Sequence, residues 1–196
     1  MFEPKEIYDV IDKDYSEKIY DYVTDINFDW HYMDDTTYEK TNDPRYSTPS
    51  FANLVYHQNN QNGPHLDFFL PLLHSTCDAA GLKLDKLLRM RLGFLMNTKY
   101  PVPSLGYKYN TPHRDFDQEH YVACYYVNNA DGDTVIFHET EPKPEGEKYR
   151  PLLKSTPLQG KVVVFNGWHY HASTCPMVTT KRIVMTMNFT ASEING

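Results

Sequence analysis

The chain has 196 residues, 40% of them hydrophobic and 23% charged, which is the balance of an ordinary globular protein with a buried core. Its formal net charge of −7 argues against a general binder of nucleic-acid backbones, because such binding depends on lysine and arginine. Cys77, Cys124 and Cys175 form no CxxC pair, so neither a disulfide framework nor a zinc ribbon is indicated. The first residues lack a signal-peptide core and no apolar run reaches membrane-spanning length. We therefore expect a cytoplasmic protein that does not associate with membranes.

The first 86 residues are predicted to be mainly helical and loop-forming. Residues 5–12 have the pattern of a short strand or helix. Asp14 is positioned to cap a helix from Tyr15 to about Thr24, where apolar side chains recur at helical spacing. We expect this N-terminal part to support the rest of the domain.

A strong helix pattern follows a turn-rich stretch. Residues 27–64 are polar and contain many turn signals, apart from a predicted strand at 51–57. Residues 65–80 form the best helix candidate, and Gly81 is a plausible stop. Pro71 has to lie in the first turn or two of this helix, or kink it.

From residue 87 onward, the sequence pattern predicts short strands separated by turns. The predicted strands cover residues 87–97, 121–128, 134–139, 161–166 and 182–189. Helices followed by successive strands predict one α+β domain over residues 1–196. Its second part, 87–190, is expected to be an antiparallel sandwich or barrel.

The sharpest local feature is the sequence Thr111-Pro112-His113-Arg114-Asp115. His113 and Asp115 are two residues apart, so on an extended segment their side chains point to the same side. A second histidine would complete the set of two histidines and one carboxylate that holds Fe(II) and leaves coordination positions open. Alone, the motif also fits a solvated charge pair on a surface loop.

Two later histidines, His169 and His171, have the same parity on a strand and are both candidates for the third ligand. Arg182 follows, and its planar guanidinium suits a molecule that carries a carboxylate. On the strand that Arg182 opens, Thr186 and Asn188 share its face and are polar candidates to line the site.

In combination these motifs resemble the Fe(II)- and 2-oxoglutarate-dependent dioxygenases, and within them the prolyl-4-hydroxylase-like branch. The resemblance covers residues 89–189, where HxD at 113–115, a distal histidine and Arg182 follow in the family's order and approximate spacing. The spacing to Arg182 and the likeness of the residues around the distal histidine favour His171 over His169. The resemblance implies a double-stranded β-helix, or jelly roll, with N-terminal helices packed on one sheet.

The resemblance also assigns roles around the cosubstrate. Cys124-Tyr125-Tyr126-Val127-Asn128 resembles the strand that follows HxD in prolyl hydroxylases, which gives Tyr126 a contact with the 2-oxoglutarate carboxylate. The alternative for Tyr126 is a core position with its hydroxyl bonded to the backbone. Residues 131–134 resemble the family's Gly-Glu-Thr turn, and Asn97 stands where family members often place a polar cosubstrate contact.

The implied cofactors are Fe(II), 2-oxoglutarate with its 5-carboxylate on Arg182, and O2, with ascorbate in a supporting role. The implied reaction hydroxylates a C–H bond and releases succinate and CO2. A prolyl residue in a peptide or protein is the favoured substrate, and a free amino acid or other small molecule stays open. Nucleic acid is not expected, because demethylases of this kind carry a second arginine where this chain has Asn188.

Two readings compete with the oxygenase. One is a non-catalytic jelly-roll module that binds a metal or ligand, and the other is a hydrolytic zinc site with the same three ligands. Neither explains why Arg182 accompanies the three ligands. The loop at 100–112 and the stretch at 31–50 are candidate lids over the site. The sequence gives no indication of the oligomeric state.

Overall fold

A computed structural model describes residues 2–37, 48–97, 109–144 and 147–194. These residues form two helices, α1 (Lys13–Thr24) and α2 (Leu66–Ala80), and eleven strands. The strands are β1 (Lys5–Ile7), β2 (His31–Met33), β3 (Ser50–His57), β4 (Asn60–Gln61), β5 (Leu82–Met96), β6 (Tyr121–Tyr126), β7 (Thr134–Phe137), β8 (Pro151–Ser155), β9 (Val162–Asn166), β10 (His171–Ser173) and β11 (Lys181–Glu193).

The strands lie in two antiparallel sheets. The larger sheet has the order β1-β9-β6-β11-β5-β3-β2, with β4 paired to β3, and it does not close into a barrel. The smaller sheet has the order β10-β7-β8. Between the sheets, Tyr126 and Val184 of the larger one pack with Ile136 of the smaller one. This arrangement confirms the predicted jelly roll.

The opposite face of the larger sheet carries both helices and the main core. Ile19 of α1 and Phe69 of α2 are fully buried there, together with Met90 of β5 and Met185 of β11. Each such side chain stabilises the fold by about 1.5–3 kcal/mol relative to an exposed one. The predicted packing of N-terminal helices on one sheet is therefore confirmed.

The start of α1 differs from the prediction in its cap. The N-cap is Asp12, whose carboxylate accepts a hydrogen bond of 2.7 Å from the backbone N–H of Tyr15. Asp12 has the extended backbone (φ −64°, ψ 161°) that a capping residue adopts. Asp14, predicted as the cap, lies in the first turn instead, where a negative charge favours the helix dipole.

Helix α2 ends at Gly81, as predicted. Gly81 adopts a left-handed conformation with φ 74°, which glycine enters without a Cβ penalty, and its N–H donates to the last carbonyls of the helix. Pro71 lies inside the helix, in its second turn. Among the described residues, no helix has the length and apolarity that crossing a membrane requires.

Strand β11 shows the alternation on which the site depends. Ile183, Met185 and Met187 face the helices and belong to the main core. Arg182 and Thr186, on the other face, line the cavity between the sheets. The sequence alternation therefore assigned the polar side chains of this strand to the correct face.

Four short strands, β2, β4, β8 and β10, were not predicted. Strand β8 lies between the predicted strands at 134–139 and 161–166, where only turns were expected, and it pairs with β7. The N-terminal part also supplies β1 to β4 of the larger sheet, so it contains more strand than expected. Strand β5 begins at Leu82, ahead of the expected boundary at residue 87.

Candidate metal centre

The HxD segment and β10 meet through their backbones. The N–H of His113 donates to the carbonyl of His171 at 3.0 Å, and the N–H of His171 donates back to the carbonyl of His113 at 3.0 Å. This bridge holds the two imidazole rings with centroids 4.7 Å apart. Asp115, two residues after His113, then reaches the space between them.

His113, Asp115 and His171 form the predicted group. Their ligand atoms all lie within 4.8 Å of one another. The Nε2 atom of His113 is 3.7 Å from one Asp115 carboxylate oxygen, and the Nε2 atom of His171 is 3.6 Å from the other. Such spacing lets a single ion contact one atom of each residue.

Both rings are oriented by their Nδ1 atoms. The Nδ1 of His113 lies 3.0 Å from the carbonyl of Thr111, and the Nδ1 of His171 lies 3.3 Å from the carbonyl of His169. A carbonyl can only accept, so Nδ1 carries the proton and the Nε2 lone pair faces Asp115. This is the usual way in which a protein fixes the tautomer of a metal-binding histidine.

The charge states of the group suit a cation. Burial lowers the pKa of His171 to about 4, so its imidazole is neutral at physiological pH. Burial alone would raise the pKa of the Asp115 carboxyl, but the Arg89 guanidinium and the nearby histidines hold it well below its ordinary value. The group therefore presents a carboxylate together with neutral imidazole.

Asp115 is held by two residues that the sequence did not single out as a pair. The Nη2 of Arg89 donates to Oδ1 of Asp115, and the Nδ2 of Asn188 donates to Oδ2 at 2.7 Å. The Nε of Arg89 also donates to Oδ1 of Asn188 at 3.0 Å, which closes a ring of three side chains. Arg89 and Asn188 are direct partners in the β5–β11 register. Alternation along β11 had predicted that Asn188 faces the site. The contact of Arg89 with Asp115 follows only from the pairing of β5 with β11, which the sequence did not give.

Arg182 is buried and lines the same cavity as the three candidate ligands. Its Nε donates to the carbonyl of Gly132 at 2.7 Å, and its Nη2 donates to Oγ1 of Thr134 at 2.8 Å. A Cβ on Gly132 would lie 2.5 Å from the Thr174 carbonyl oxygen and 3.0 Å from Cδ of Arg182. The turn at 131–134 therefore orients the guanidinium and needs glycine at its second position.

The other predicted cosubstrate residues have different positions. Thr186 lines the cavity. The hydroxyl of Tyr126 donates to the carbonyl of Ser155 at 3.1 Å, as in the alternative that the sequence left open. The side chain of Asn97 donates to the carbonyl of Thr179 at 3.1 Å, and Asn97 is not among the cavity-lining residues described. Roles for all three in cosubstrate binding stay predictions.

The competing histidine, His169, lies apart from the group. It is buried, and its Nδ1 is 2.8 Å from the carbonyl of Phe137. Its position fits a packing role rather than metal binding. His120, which the sequence analysis did not single out, is 1% exposed, and its ring packs against Gly167. Gly167 has no side chain and so leaves room for the ring. A sequence pattern does not reveal such a contact between distant segments.

Most residues of the two candidate lids lie outside the part of the chain that the structure describes. Of the loop at 100–112, the structure describes residues 109–112, and of the stretch at 31–50 it describes 31–37 and 48–50. Thr36 and Thr37 line the cavity, so the second stretch does reach the site.

Comparison with solved structures supports the fold. No family model and no curated protein sequence matches the chain. Among solved structures, an oxidoreductase of the 2OG-Fe(II) oxygenase family from Burkholderia pseudomallei is similar with a TM-score of 0.66 and 13% identity, covering 98% of this chain and 89% of the other. A Pseudomonas putida prolyl-4-hydroxylase is similar with a TM-score of 0.56 and 13% identity, covering 95% and 91%.

A third similar structure is the non-heme alpha-ketoglutarate-dependent epimerase SnoN from nogalamycin biosynthesis. Its TM-score is 0.62 at 10% identity, and the match covers 95% of this chain and 77% of the epimerase. A prolyl-4-hydroxylase and an epimerase thus share one architecture, and at such identities the likeness concerns architecture alone. This chain has the double-stranded β-helix fold of the 2-oxoglutarate- and Fe(II)-dependent oxygenases.

Proposed function

We propose that this protein is an Fe(II)- and 2-oxoglutarate-dependent oxygenase that hydroxylates a C–H bond and releases succinate and CO2. One observation carries the proposal: a group of two histidines and one carboxylate shares a cavity with the buried Arg182. Two imidazoles and one carboxylate suit Fe(II), because they leave positions for a cosubstrate and oxygen. A guanidinium in the same cavity suits the far carboxylate of that cosubstrate.

His113, Asp115 and His171 would hold the metal through two Nε2 atoms and a carboxylate oxygen. Hydrogen bonds from both Nδ1 atoms to backbone carbonyls keep the Nε2 lone pairs available for this role. When bound, Fe(II) with 2-oxoglutarate and O2 supplies the oxidising chemistry, which protein side chains do not provide. The chain itself would hold and orient the metal and the cosubstrate.

Arg182 would bind the 5-carboxylate of 2-oxoglutarate. Its bonds to Gly132 and Thr134 use two of the five N–H donors of a guanidinium and fix the plane of the group. Thr186 lines the same cavity as Arg182 and the proposed metal ligands. We keep Tyr126 and Asn97 as further proposed contacts, and each would have to exchange its present backbone partner for the cosubstrate.

For the substrate, we propose a prolyl residue in a peptide or protein. The proposal is supported by the sequence resemblance to prolyl hydroxylases and by the fold shared with a bacterial prolyl-4-hydroxylase. The fold shared with the epimerase SnoN keeps a free amino acid or another small molecule as the alternative. A non-catalytic jelly-roll module that binds a metal or ligand is the second candidate function.

The test separates binding from catalysis. Anaerobic addition of Fe(II) and 2-oxoglutarate should produce the weak visible charge-transfer band of this metal–cosubstrate pair, and the band should be lost in Arg182→Met. With oxygen, we expect succinate and a +16 Da product from proline-containing peptides or free amino acids. A band without succinate from any substrate would favour the binding module, and no band at all would contradict the proposal.

A further inference from the structure

A second group of titratable side chains lies apart from the metal site. Tyr22 belongs to α1, Asp29 follows that helix in the chain, and His65 is the residue immediately before α2. None of the three is among the described residues that line the metal cavity. Any chemistry of this group is therefore separate from that of the candidate metal centre.

Two hydrogen bonds join the three side chains through the imidazole ring. The Nδ1 atom of His65 is 2.8 Å from the hydroxyl oxygen of Tyr22, and its Nε2 atom is 2.7 Å from Oδ1 of Asp29. A carboxylate accepts hydrogen bonds, so Nε2 carries the proton, and in the neutral ring the Nδ1 lone pair accepts from the Tyr22 hydroxyl. A hydroxyl nucleophile is activated by such an arrangement: a base at about 2.6–3.2 Å that is itself oriented by a third group.

The surroundings keep this arrangement in place. Burial alone would raise the pKa of the Asp29 carboxyl, but the hydrogen bond from His65 holds it below its ordinary value. The side chain of His65 is 8% exposed, and its ring packs against Phe28 with centroids 5.0 Å apart. The carbonyl of Asp29 accepts a 3.0 Å hydrogen bond from Nδ2 of Asn53, which ties this loop to β3. The base and its orienting carboxylate are thus fixed before any ligand binds.

A groove of about 560 Å³ is lined by both partners of the first hydrogen bond, Tyr22 and His65. This volume lies in the range of about 300–1,000 Å³ that is usual for small-molecule sites. Phe28 and Phe68 give the groove an apolar wall, and Lys18, one helical turn before Tyr22 on α1, brings a positive charge. The other described lining residues are polar: Asp21, Asp25 and Asn27. Such a lining suits a small molecule with an apolar part and a polarised carbonyl group.

We propose that this groove is a second reactive site, in which Tyr22 accepts an acyl group from a small activated ester. The phenolic oxygen of Tyr22 forms a bond with the carbonyl carbon of the ester, and its proton passes to Nδ1 of His65. The bond between that carbon and the leaving oxygen breaks, and the leaving group keeps the electron pair and takes the proton from His65. The products are an ester on Tyr22 and a free alcohol or phenol, and nothing is oxidised or reduced.

Acetylation by p-nitrophenyl acetate tests the proposal on the full chain. EDTA is present throughout, so the outcome does not depend on the proposed function of the metal site. After an acid quench, peptide mass spectrometry should show that Tyr22 is acetylated at least about 10-fold faster than Tyr32, because general base catalysis contributes about 100-fold or more. Tyr32 is the internal control, since it is 61% exposed and open to the reagent.

His65→Asn should slow the acetylation of Tyr22 by about 100-fold. Asparagine can still cap α2 and bond the Tyr22 hydroxyl, but it does not take up a proton. Asp21→Asn is the matched control, because it removes a carboxylate from the same groove outside the hydrogen-bonded group, and it should leave the rate unchanged.

Circular dichroism establishes that the variants are folded, and the comparison of Tyr22 with Tyr32 in the wild-type protein needs no variant. Three results would each overturn the proposal. They are the absence of acetyl groups on Tyr22, equal rates at Tyr22 and Tyr32, and an unchanged rate in His65→Asn.

Discussion

Replacement of Arg89 by methionine tests how far the charge of Asp115 depends on the neighbouring guanidinium. The Arg89 and Asp115 side chains are only 10% and 5% exposed, so the substitution leaves a buried carboxylate without its guanidinium. The Asn188 hydrogen bond remains, but it carries no full charge. Removing one partner of a buried ion pair costs about 3–5 kcal/mol, because the remaining charge is uncompensated.

In a chain of this size each kcal/mol lowers the melting temperature by about 2–4 °C, so metal-free Arg89→Met should melt on the order of 10 °C lower. A divalent ion restores positive charge beside Asp115. Zn(II) or Co(II) should therefore stabilise the variant more than it stabilises the wild type, in thermal melts with metal and with chelator. Arg150→Met, which removes a guanidinium that is 75% exposed, should change stability by less than about 1 kcal/mol.

Two results would refute this reasoning. If metal-free Arg89→Met were as stable as wild type, Asp115 would not depend on the guanidinium for its charge. If added metal stabilised both proteins equally, the ion would not bind where Arg89 compensates the carboxylate. Arg89→Lys gives an intermediate case, since it retains a charge but cannot bond Asp115 and Asn188 through one planar group.

Three further predictions concern single positions. His171→Ala should abolish iron binding in an equilibrium metal titration, whereas His169→Ala should retain it, and the reverse result would move the ligand to His169. Gly132→Ala should weaken 2-oxoglutarate binding in a titration of the visible band, because the added methyl collides with a backbone carbonyl; unchanged affinity would show that the turn adapts. Burial lowers the pKa of His120, so its neutral form is favoured in the folded state and its share of stability is lost as the pH falls below about 6.5. His120→Phe should flatten that acid slope in denaturation curves measured across pH, and an unchanged slope would contradict it.

The sequence predicted those parts of the site that depend on local spacing. HxD places His113 and Asp115 on one side of an extended segment whatever the rest of the chain does, and alternation after Arg182 identified Thr186 and Asn188. For the third candidate ligand, parity alone did not separate His171 from His169, and β10, with three residues, is too short to give a strand pattern in the sequence.

The parts that the sequence did not predict depend on register or on burial. Arg89 reaches Asp115 because β5 pairs with β11 so that Arg89 lies opposite Asn188, and nothing in either strand alone fixes that register. His120 is buried because Gly167 leaves room for its ring, a contact between segments distant in sequence. The cap of α1 was displaced by two residues because several acids near its start have similar capping propensity.

The paired backbone hydrogen bonds between His113 and His171 make the candidate metal centre a connection between two distant parts of the chain. An ion held by both imidazoles would cross-link the HxD loop to the smaller sheet at the point where the backbone already joins them. Loss of the ion would then loosen this junction rather than the core, so amide hydrogen exchange at these two residues should report metal occupancy even where the melting temperature does not.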